Sequence, residues 1–284
     1  MNRVGICGYK GNLGSELVEY WNCIPMDCDI RDEESIRQSY EEVQPDYVIN
    51  CAAITDVDGC EDYDPKVNKG VGFDAVQVNF WGVEKVKNVC KCPVIHISTD
   101  YIFDGKHGAY SEKSKYDDPV NVYGWTKFVG EVAFLTPRLN NGIVVRTTGL
   151  FGRPDTKDFC SKVTSTVGIR HTIEVAKDLE GNQTYIPFLA KGLMYVIDHF
   201  SAFAETPILH IASKDVISRY EFALMVCSVF NLDKSLVIPV KFSKIEDWIA
   251  KRPTKGGLQT KLAKKMGVPI YSVLDGLEAL KSEI

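Results

Sequence analysis

A glycine-rich segment near the amino terminus sets the tightest limit on how this chain folds. Residues 3–7 form a short apolar run, and Gly8, Gly11 and Gly14 follow at Gly-x-x-Gly-x-x-Gly spacing before apolar residues recur at helical intervals. Glycines in such a turn allow the backbone to approach a pyrophosphate at the helix N-terminus. Because a glycine-rich turn alone is a weak signal, the dinucleotide interpretation also needs the flanking strand and helix and a well-placed acid.

An acidic residue stands at the place where a dinucleotide site needs one. Residues 23–26 predict a short second strand, and Asp27 follows it, nineteen residues after Gly8. A carboxylate here accepts hydrogen bonds from the adenosine ribose and repels a 2′-phosphate, so it favours NAD over NADP. Asp29, followed by Ile30, competes for the same role, and an acid at this place can also serve as a turn residue or a helix cap.

Alternating strands and helices predict a parallel sheet. After the first two strands, further strands are predicted over residues 45–53, 93–98 and 143–146. The helix predicted over 73–89 carries Asn79. This order predicts the α/β class, with a Rossmann-type, doubly wound parallel sheet covered on both faces. The strand at 45–53 ends in Ala52 and Ala53, whose small side chains leave room for a cofactor or equally allow tight packing.

A tyrosine, a lysine and a threonine form a candidate catalytic set. Tyr123 and Lys127 are four residues apart on a predicted helix, so the ammonium can lie near the phenol and favour its ionised form. A free phenol titrates near pH ~10 and needs such a cation, or a cationic cofactor, to exchange protons at neutral pH. Thr99, at the end of the 93–98 strand, can hydrogen-bond the same substrate oxygen. Since Tyr-x-x-x-Lys also arises by chance on amphipathic helices, its place in a dinucleotide-binding chain carries the argument.

Composition excludes several classes of function. With 284 residues, 45% of them hydrophobic, the chain can bury a large core. Its net charge is −5, and the sequence has no run of basic residues that would indicate nucleic-acid binding. No apolar stretch approaches the roughly 18 residues of a membrane span, and residues 1–3 lead directly into a strand, so we expect neither a membrane span nor a signal peptide. We therefore expect a cytoplasmic location. Nine scattered cysteines predict reduced thiols, and Cys90 and Cys92 are too close for a zinc knuckle, so no metal site is predicted.

Four segments carry a resemblance to a known family. The glycine turn, together with residues 50–55, 98–105 and 121–127, resembles the extended short-chain dehydrogenase/reductases, and within them the dTDP-4-dehydrorhamnose reductase group. The resemblance implies a nucleotide-sugar 4-ketoreductase in deoxysugar biosynthesis that uses NADH or NADPH. It implies that Tyr123 protonates the C4 oxygen, that Lys127 lowers the phenol pKa and holds the nicotinamide ribose, and that Thr99 bonds the keto oxygen.

The resemblance and the motifs together predict the contacts of each ligand. The predicted cofactor contacts are Gly8, Gly11, Asn12, Leu13, Gly14, Asp27, Asp29, Ile30, Ala52, Ala53, Ile54, Thr55, Asn79, Tyr123 and Lys127. The predicted substrate contacts are Thr99, Asp100, Tyr123, Gly149 and Arg252.

Particular residues bear on the type of reaction. In the related dehydratases a glutamate follows the Thr-Asp pair, and Tyr101 takes its place here, which favours simple reduction. Glu112 is too far along the chain to replace that glutamate by spacing alone. Gly149 stands where the family usually has a tryptophan, and residues 255–257 depart from the pattern after Arg252-Pro253. These departures concern the sugar and its nucleotide more than the hydride chemistry.

The second half of the chain predicts a smaller cap woven into the first domain. We expect an NAD(P)-binding domain over 1–150 and a substrate-binding cap over 151–284 with segments that return to the first domain. Ser218 to Glu221 predict a capping box, and His210 is interpreted as a strand residue rather than a catalyst. The resemblance also suggests a homodimer and, in some members, magnesium, although no ligand cluster in the sequence supports the metal.

Two alternative functions remain open at this point. The same fold resembles the regulatory beta subunit of methionine adenosyltransferase, which would make the chain a non-catalytic regulator. A combined 3,5-epimerase and 4-reductase would need a further acid/base pair, which the sequence does not identify.

Overall fold

The computed structural model describes residues 2–64, 66–116, 118–137, 142–152, 158–245 and 248–283. The elements of the first half are β1 (Val4–Cys7), α1 (Asn12–Tyr20), β2 (Ile24–Met26), α2 (Glu33–Val43), β3 (Tyr47–Asn50), α3 (Val71–Val76), α4 (Val83–Val89), β4 (Val94–Thr99), α5 (Val122–Leu135) and β5 (Ile143–Thr147). Those of the second half are β6 (Leu150–Phe151), α6 (Phe159–Gly168), β7 (Ile173–Ala176), β8 (Glu180–Gly181), β9 (Thr184–Tyr185), α7 (Ile186–Asp198), β10 (Ile208–His210), β11 (Ile217–Ser218), α8 (Arg219–Phe230), β12 (Val237–Val240), α9 (Lys261–Lys265) and α10 (Val273–Glu283).

Six strands in the described ranges form one parallel sheet in the order β10-β5-β4-β3-β1-β2. The register pairs Cys7 with Asn50 and Thr99 with Thr147, so the carboxyl ends of β1, β3, β4 and β5 lie along one edge. Ligands bind at this edge in open α/β sheets. The predicted fold class, a Rossmann-type parallel sheet, is confirmed.

Helices cover both faces of the sheet because each has an apolar side. On one face, Leu13 and Leu17 of α1 share a buried cluster with Leu189 and Leu193 of α7. On the other, α2 and α4 contribute Ile36, Val43, Val83 and Val86 to a second cluster. Burial of these aliphatic side chains, at about 25 cal/mol per Å² of apolar surface, is the main term that holds the layers together.

Some element boundaries differ from the sequence prediction. The helix expected over 73–89 begins at Val71, and its middle turn, Gln77–Gly82, is a π-helix. The segment between β3 and α3 contains a short 3₁₀ turn, Gly59–Glu61. Helix α7 starts at Ile186, with Pro187 in its first turn, where a missing N–H costs no helical hydrogen bond.

The second half builds its own core and also extends the first. Phe151, Val163 and Phe222 belong to a separate buried cluster, whereas β10 adds a strand to the main sheet. The predicted capping box is confirmed: Ser218 and Glu221 satisfy each other's backbone groups at the start of α8. The division at residue 150 stays a prediction. None of the helices in the described ranges is long and apolar enough to cross a membrane.

Candidate active site

The glycine turn lies against the end of β3. Gly8 has φ of +73°, and a Cβ there would come within 2.5 Å of the Ala52 backbone, so only glycine fits. The Gly11 N–H donates to the Gly8 carbonyl at 3.1 Å, and Gly11 then caps α1 without a side chain. The amide groups of the first turn of α1 are therefore free of a side-chain cap, which suits the pyrophosphate of a dinucleotide.

The two acids after β2 differ in their partners. Asp27 is 80% exposed in its side chain, accepts a hydrogen bond from the Tyr9 hydroxyl at 3.1 Å and lies 3.6 Å from the Lys10 ammonium. Asp29 instead binds the Arg31 guanidinium through both carboxylate oxygens, and these bonds lower the pKa of Asp29. Asp27 thus remains accessible for a ribose. The cations Lys10 and Arg31 were not weighed in the sequence analysis, although both are visible there.

Asn79 holds the loop after β3 against α5. Its Oδ1 accepts from the Ile54 N–H, and its Nδ2 donates to the Ile54 carbonyl, both at 2.9 Å, and to the Thr126 hydroxyl at 3.0 Å. The predicted contact of Asn79 with the cofactor stays a prediction, since these protein partners already engage its amide. Its observed contacts position Ile54, which is itself a predicted cofactor residue.

The start of α5 is fixed by several contacts. The Asn121 side chain accepts from the Gly124 N–H at 2.7 Å and donates to the Lys251 carbonyl at 2.8 Å. The Val122 N–H donates to Glu61 at 3.0 Å. A Cβ on Gly124 would lie 2.2 Å from the Tyr101 carbonyl oxygen, so α5 approaches the end of β4 as closely as glycine permits. This close approach brings Tyr123 to Thr99.

The predicted catalytic residues all lie against the carboxyl-terminal part of β4. Tyr123 is buried, and its ring packs edge-on to that of Tyr101, two residues after Thr99, with ring centres 5.5 Å apart. Burial raises the pKa of Tyr123, and the neighbouring Thr99 hydroxyl lowers it in part, so the phenol keeps its proton at neutral pH. Lys127, only 2% exposed, donates to the Ile97 carbonyl at 2.8 Å. Burial lowers the pKa of Lys127 to about 8, which leaves it mostly charged at pH 7.

Asp100 connects the catalytic strand to the C-terminal segment. Its Oδ2 accepts from the Gly257 N–H at 3.0 Å, and its Oδ1 lies 3.4 Å from the Thr99 hydroxyl, which donates to it. Burial raises the pKa of Asp100, whereas the Gly257 bond lowers it. Gly149 has φ of +58°, and a Cβ there would lie 2.2 Å from the Asn182 carbonyl oxygen. No side chain fits at position 149 without movement of the backbone, which accounts for the missing tryptophan.

Arg252 lies beside a second arginine. Its guanidinium pairs with Asp58 at 2.6 Å and lies 5.1 Å from the centre of the Trp248 ring. Arg219 lies 5.3 Å from the same ring centre, and its charge lowers the pKa of Tyr101, which burial raises. Tyr101 in turn packs edge-on to Tyr123, with ring centres 5.5 Å apart. Residue 247, which precedes Trp248 and which the sequence also suggests for the substrate wall, lies outside the described residues.

The sequence analysis missed Arg219 as a site residue. Arg219 is the first residue of α8, where the helix dipole disfavours a positive charge. A positively charged residue at this unfavourable position marks Arg219 in the sequence as a candidate functional residue.

Known proteins share the sequence pattern of this chain. A family profile described as the RmlD substrate binding domain matches residues 2–281. The chain belongs to this family. It is 29% identical to the dTDP-4-keto-6-deoxy-D-glucose reductase of Streptomyces niveus over 84% of this chain and 83% of that protein. It is 34% identical to the dTDP-4-dehydrorhamnose reductase of Mycolicibacterium smegmatis over 75% of this chain and 62% of that protein.

A solved structure shares the whole fold. The crystal structure of dTDP-4-dehydrorhamnose reductase from Bacillus anthracis in complex with NADP superposes with a TM-score of 0.86 at 27% identity, over 100% of this chain and 99% of that one. The resemblance predicted from the sequence motifs is confirmed. Within the described ranges, no group of three or more His, Cys, Asp or Glu side chains is arranged to hold a metal ion.

Proposed function

We propose that this protein reduces the 4-keto group of a nucleotide-linked 4-keto-6-deoxy sugar with NADH or NADPH. The observation that carries the proposal is that Thr99, Tyr123 and Lys127 all lie against the carboxyl-terminal part of β4, at the sheet edge that also carries the glycine turn. The relatives named as reductases of such sugars support it.

The chain's own residues supply a proton to the ketone oxygen. When bound, the reduced nicotinamide supplies the hydride, and the negative charge that develops on the oxygen needs a proton donor. The Tyr123 phenol, whose pKa is raised, stays protonated until that moment, and the Thr99 hydroxyl holds the same oxygen. The Lys127 ammonium stabilises the phenolate that remains after proton transfer.

The adenosine end of the site accommodates either cofactor. Asp27 repels a 2′-phosphate and favours NADH, whereas Lys10 and Arg31 place positive charge beside the two acids. The two opposite effects support use of both cofactors, with NADH favoured through Asp27. The glycine turn and the uncapped first turn of α1 fit the shared pyrophosphate.

The substrate side carries positive charge for the diphosphate of the nucleotide sugar. Arg219 and Arg252 lie on the same Trp248 ring and near Tyr101, which contacts the catalytic Tyr123. Arginine is well suited to phosphate oxygens because its planar guanidinium donates several hydrogen bonds at once. Asp100 faces the sugar from the residue after Thr99.

Reduction is favoured over dehydration and over epimerisation. Glu112, the first glutamate after the Thr-Asp pair, accepts from the His210 N–H at 3.2 Å and is thus engaged with β10. Tyr101 offers no carboxylate in its place. A regulatory protein would have the same fold, so a measurement of turnover is what distinguishes it from a reductase.

A homodimer is the predicted assembly. Trp125 and Val132 lie seven residues apart on α5 and expose 45% and 39% of their surface, and Trp81 exposes 42%. These apolar side chains support pairing with a second copy through this part of the chain, and size-exclusion chromatography with light scattering tests it. The cytoplasmic location stays a prediction.

The decisive experiment is a panel of dTDP-, UDP- and GDP-linked 4-keto-6-deoxy sugars, each with NADH and with NADPH. We expect oxidation of the nicotinamide with at least one sugar. Tyr123→Phe should abolish turnover and retain cofactor binding. Absence of oxidation across the panel would favour the regulatory alternative, and full turnover in the Tyr123→Phe variant would remove the mechanism. Solvent deuterium at C3 or C5 of the product would reveal an epimerase.

A further inference from the structure

A row of buried polar side chains crosses the sheet beneath α5. Ser98 of β4 pairs in register with Arg146 of β5, and Arg146 pairs in register with His210 of β10. All three are buried. Polar side chains in the centre of a parallel sheet are costly unless each has a partner, so their partners need to be identified.

Glu131 of α5 is the partner that joins this row to the catalytic helix. Its carboxylate is fully buried and accepts from the Ser98 hydroxyl at 2.8 Å and the Tyr116 hydroxyl at 2.7 Å. The Arg146 guanidinium binds it through Nε, at 3.1 Å to both oxygens, and through Nη2. The negative charge of Glu131 is thus compensated by one arginine and held by two neutral donors.

His210 closes the row as a neutral imidazole. Because arginine only donates, the His210 Nε2 accepts from Arg146 Nη1 at 3.3 Å, and the proton lies on Nδ1, which donates to the Gln259 carbonyl at 3.2 Å. Glu112 lies on the other side, with its Oε1 4.0 Å from the His210 Nδ1. Burial raises the pKa of Glu112, while its bond from the His210 N–H and the Arg146 charge lower it.

Glu131 also acts on Lys127, one helical turn earlier in α5. The Lys127 ammonium donates to the Ile97 carbonyl, and Glu131 accepts from the next residue of β4, Ser98, so two consecutive residues of one strand anchor the helix. Burial lowers the pKa of Lys127, and the Glu131 charge raises it.

Two other titratable groups that face Lys127 are neutral. Cys51 lies after β3, and withdrawal from water raises its pKa to about 12. His96 lies on β4, and burial together with the Lys127 charge lowers its pKa. Of these neighbours, Glu131 is the one whose charge favours the ammonium form at neutral pH.

We propose that Glu131 is a positioning residue, whose arginine-compensated carboxylate keeps Lys127 charged and holds α5 at the distance from β4 that Tyr123 and Thr99 require. The proposal rests on the proposed reduction, for which Lys127 has to be an ammonium. The proposal gives the buried Glu131–Arg146 ion pair a role in catalysis, although neither residue contacts the cofactor or the substrate. Without such a role, the pair carries only the free-energy cost of removing two charges from water.

The test is Glu131→Gln, which keeps the shape of the side chain and removes its charge. Because the Glu131 charge raises the pKa of Lys127 from one helical turn away, we expect Lys127 to titrate about 1 unit lower. Two measurements report this shift: the alkaline limb of the kcat profile, and a carbon NMR titration of the ligand-free protein labelled at lysine Cε, with Lys127 assigned through Lys127→Met.

Matched variants separate this effect from loss of structure. Tyr116→Phe removes one hydrogen bond from the same carboxylate without a change of charge, so Lys127 should titrate as in the wild type. Glu131→Gln with Arg146→Met removes both charges and leaves no uncompensated ion, so it tests the idea even if the single variant fails to fold. In the double variant Lys127 should titrate above the single variant, because the uncompensated Arg146 charge is also removed. It should titrate below the wild type, because the Glu131 charge that raises the Lys127 pKa is absent.

The outcomes separate this proposal from the reductase assignment. A wild-type protein that oxidises no nicotinamide, with the NMR shift present, would defeat the reductase assignment and retain the electrostatic link. A Lys127 titration equal to that of the wild type in the variants that fold would overturn the role of Glu131, whatever the activity.

Discussion

Replacing His210 by glutamine is expected to remove part of the acid sensitivity of this fold. His210 is fully buried, and burial, followed by the Arg146 charge, lowers its pKa from 6.5 to about 3. Above pH 6.5 the imidazole is neutral in both the folded and the unfolded chain, so it contributes no pH dependence there. Below pH 6.5 the unfolded chain binds a proton that the folded chain does not, so stability falls until the pH reaches the folded pKa.

The size of this effect follows from the two pKa values. Each pKa unit corresponds to about 1.4 kcal/mol, so between pH 7 and pH 5 His210 lowers the free energy of unfolding by about 2 kcal/mol. His96 is also fully buried, neither of its ring nitrogens has a hydrogen-bond partner among the described residues, and its pKa is lowered well below 6.5. We therefore expect a similar loss from His96.

Urea unfolding at pH 7 and pH 5 measures the loss. Glutamine can accept from Arg146 and donate to Gln259 as His210 does, and it does not titrate. The His210→Gln variant should therefore lose about 2 kcal/mol less than the wild type between the two pH values. His171, which is exposed, provides the control, since His171→Gln should leave the pH dependence unchanged. An equal loss in wild type and His210→Gln would refute the reasoning.

Three further predictions concern the proposed activity. Gly124→Ala should lower kcat about 100-fold with a smaller effect on cofactor affinity, because a Cβ there would lie 2.2 Å from the Tyr101 carbonyl oxygen and would force α5 away from β4. Gly168→Ala is the control, since a Cβ at position 168 meets nothing within 4 Å. Asp27→Asn should raise the ratio of kcat/KM for NADPH to kcat/KM for NADH about 10-fold, because Lys10 and Arg31 would remain beside the 2′-phosphate while the repelling carboxylate is gone. An unchanged ratio would show that Asp27 does not face the ribose. Arg219→Met should raise KM for the nucleotide sugar about 10-fold or more and leave KM for the cofactor unchanged. Lys162→Met, at an exposed position, is the control, and an equal KM for the nucleotide sugar in the two variants would contradict a contact of Arg219 with the diphosphate.

Local patterns made the fold and the centre of the site predictable. The glycine turn, the alternation of strands and helices and the Tyr-x-x-x-Lys spacing each depend on residues within one or two elements. Parallel strands then place their carboxyl ends at one edge, so Thr99 and the glycine turn meet without any further information.

The missed contacts join residues far apart in the chain. The Asn79 amide is a polar helix residue in the sequence, and only the fold shows that it binds the Ile54 backbone and Thr126. The contact of Glu131 with Arg146 likewise depends on how α5 lies across β5. Asp58 and Arg252 are separated by 194 residues before they pair. Periodicity and spacing hold no information on such pairs.

The C-terminal segment supports the catalytic groups as well as the substrate side. The Lys251 carbonyl accepts from Asn121, which caps α5, and the Gly257 N–H donates to Asp100, which accepts from the Thr99 hydroxyl. A Cβ at position 256 would lie 2.8 Å from the Asp100 carboxylate, so the departure from the family pattern at 255–257 lies against a catalytic neighbour. The sequence analysis expected these changes to concern the sugar more than the hydride chemistry. The contacts indicate that they affect both, because whatever displaces residues 251–257 also displaces the groups that orient Thr99 and the start of α5.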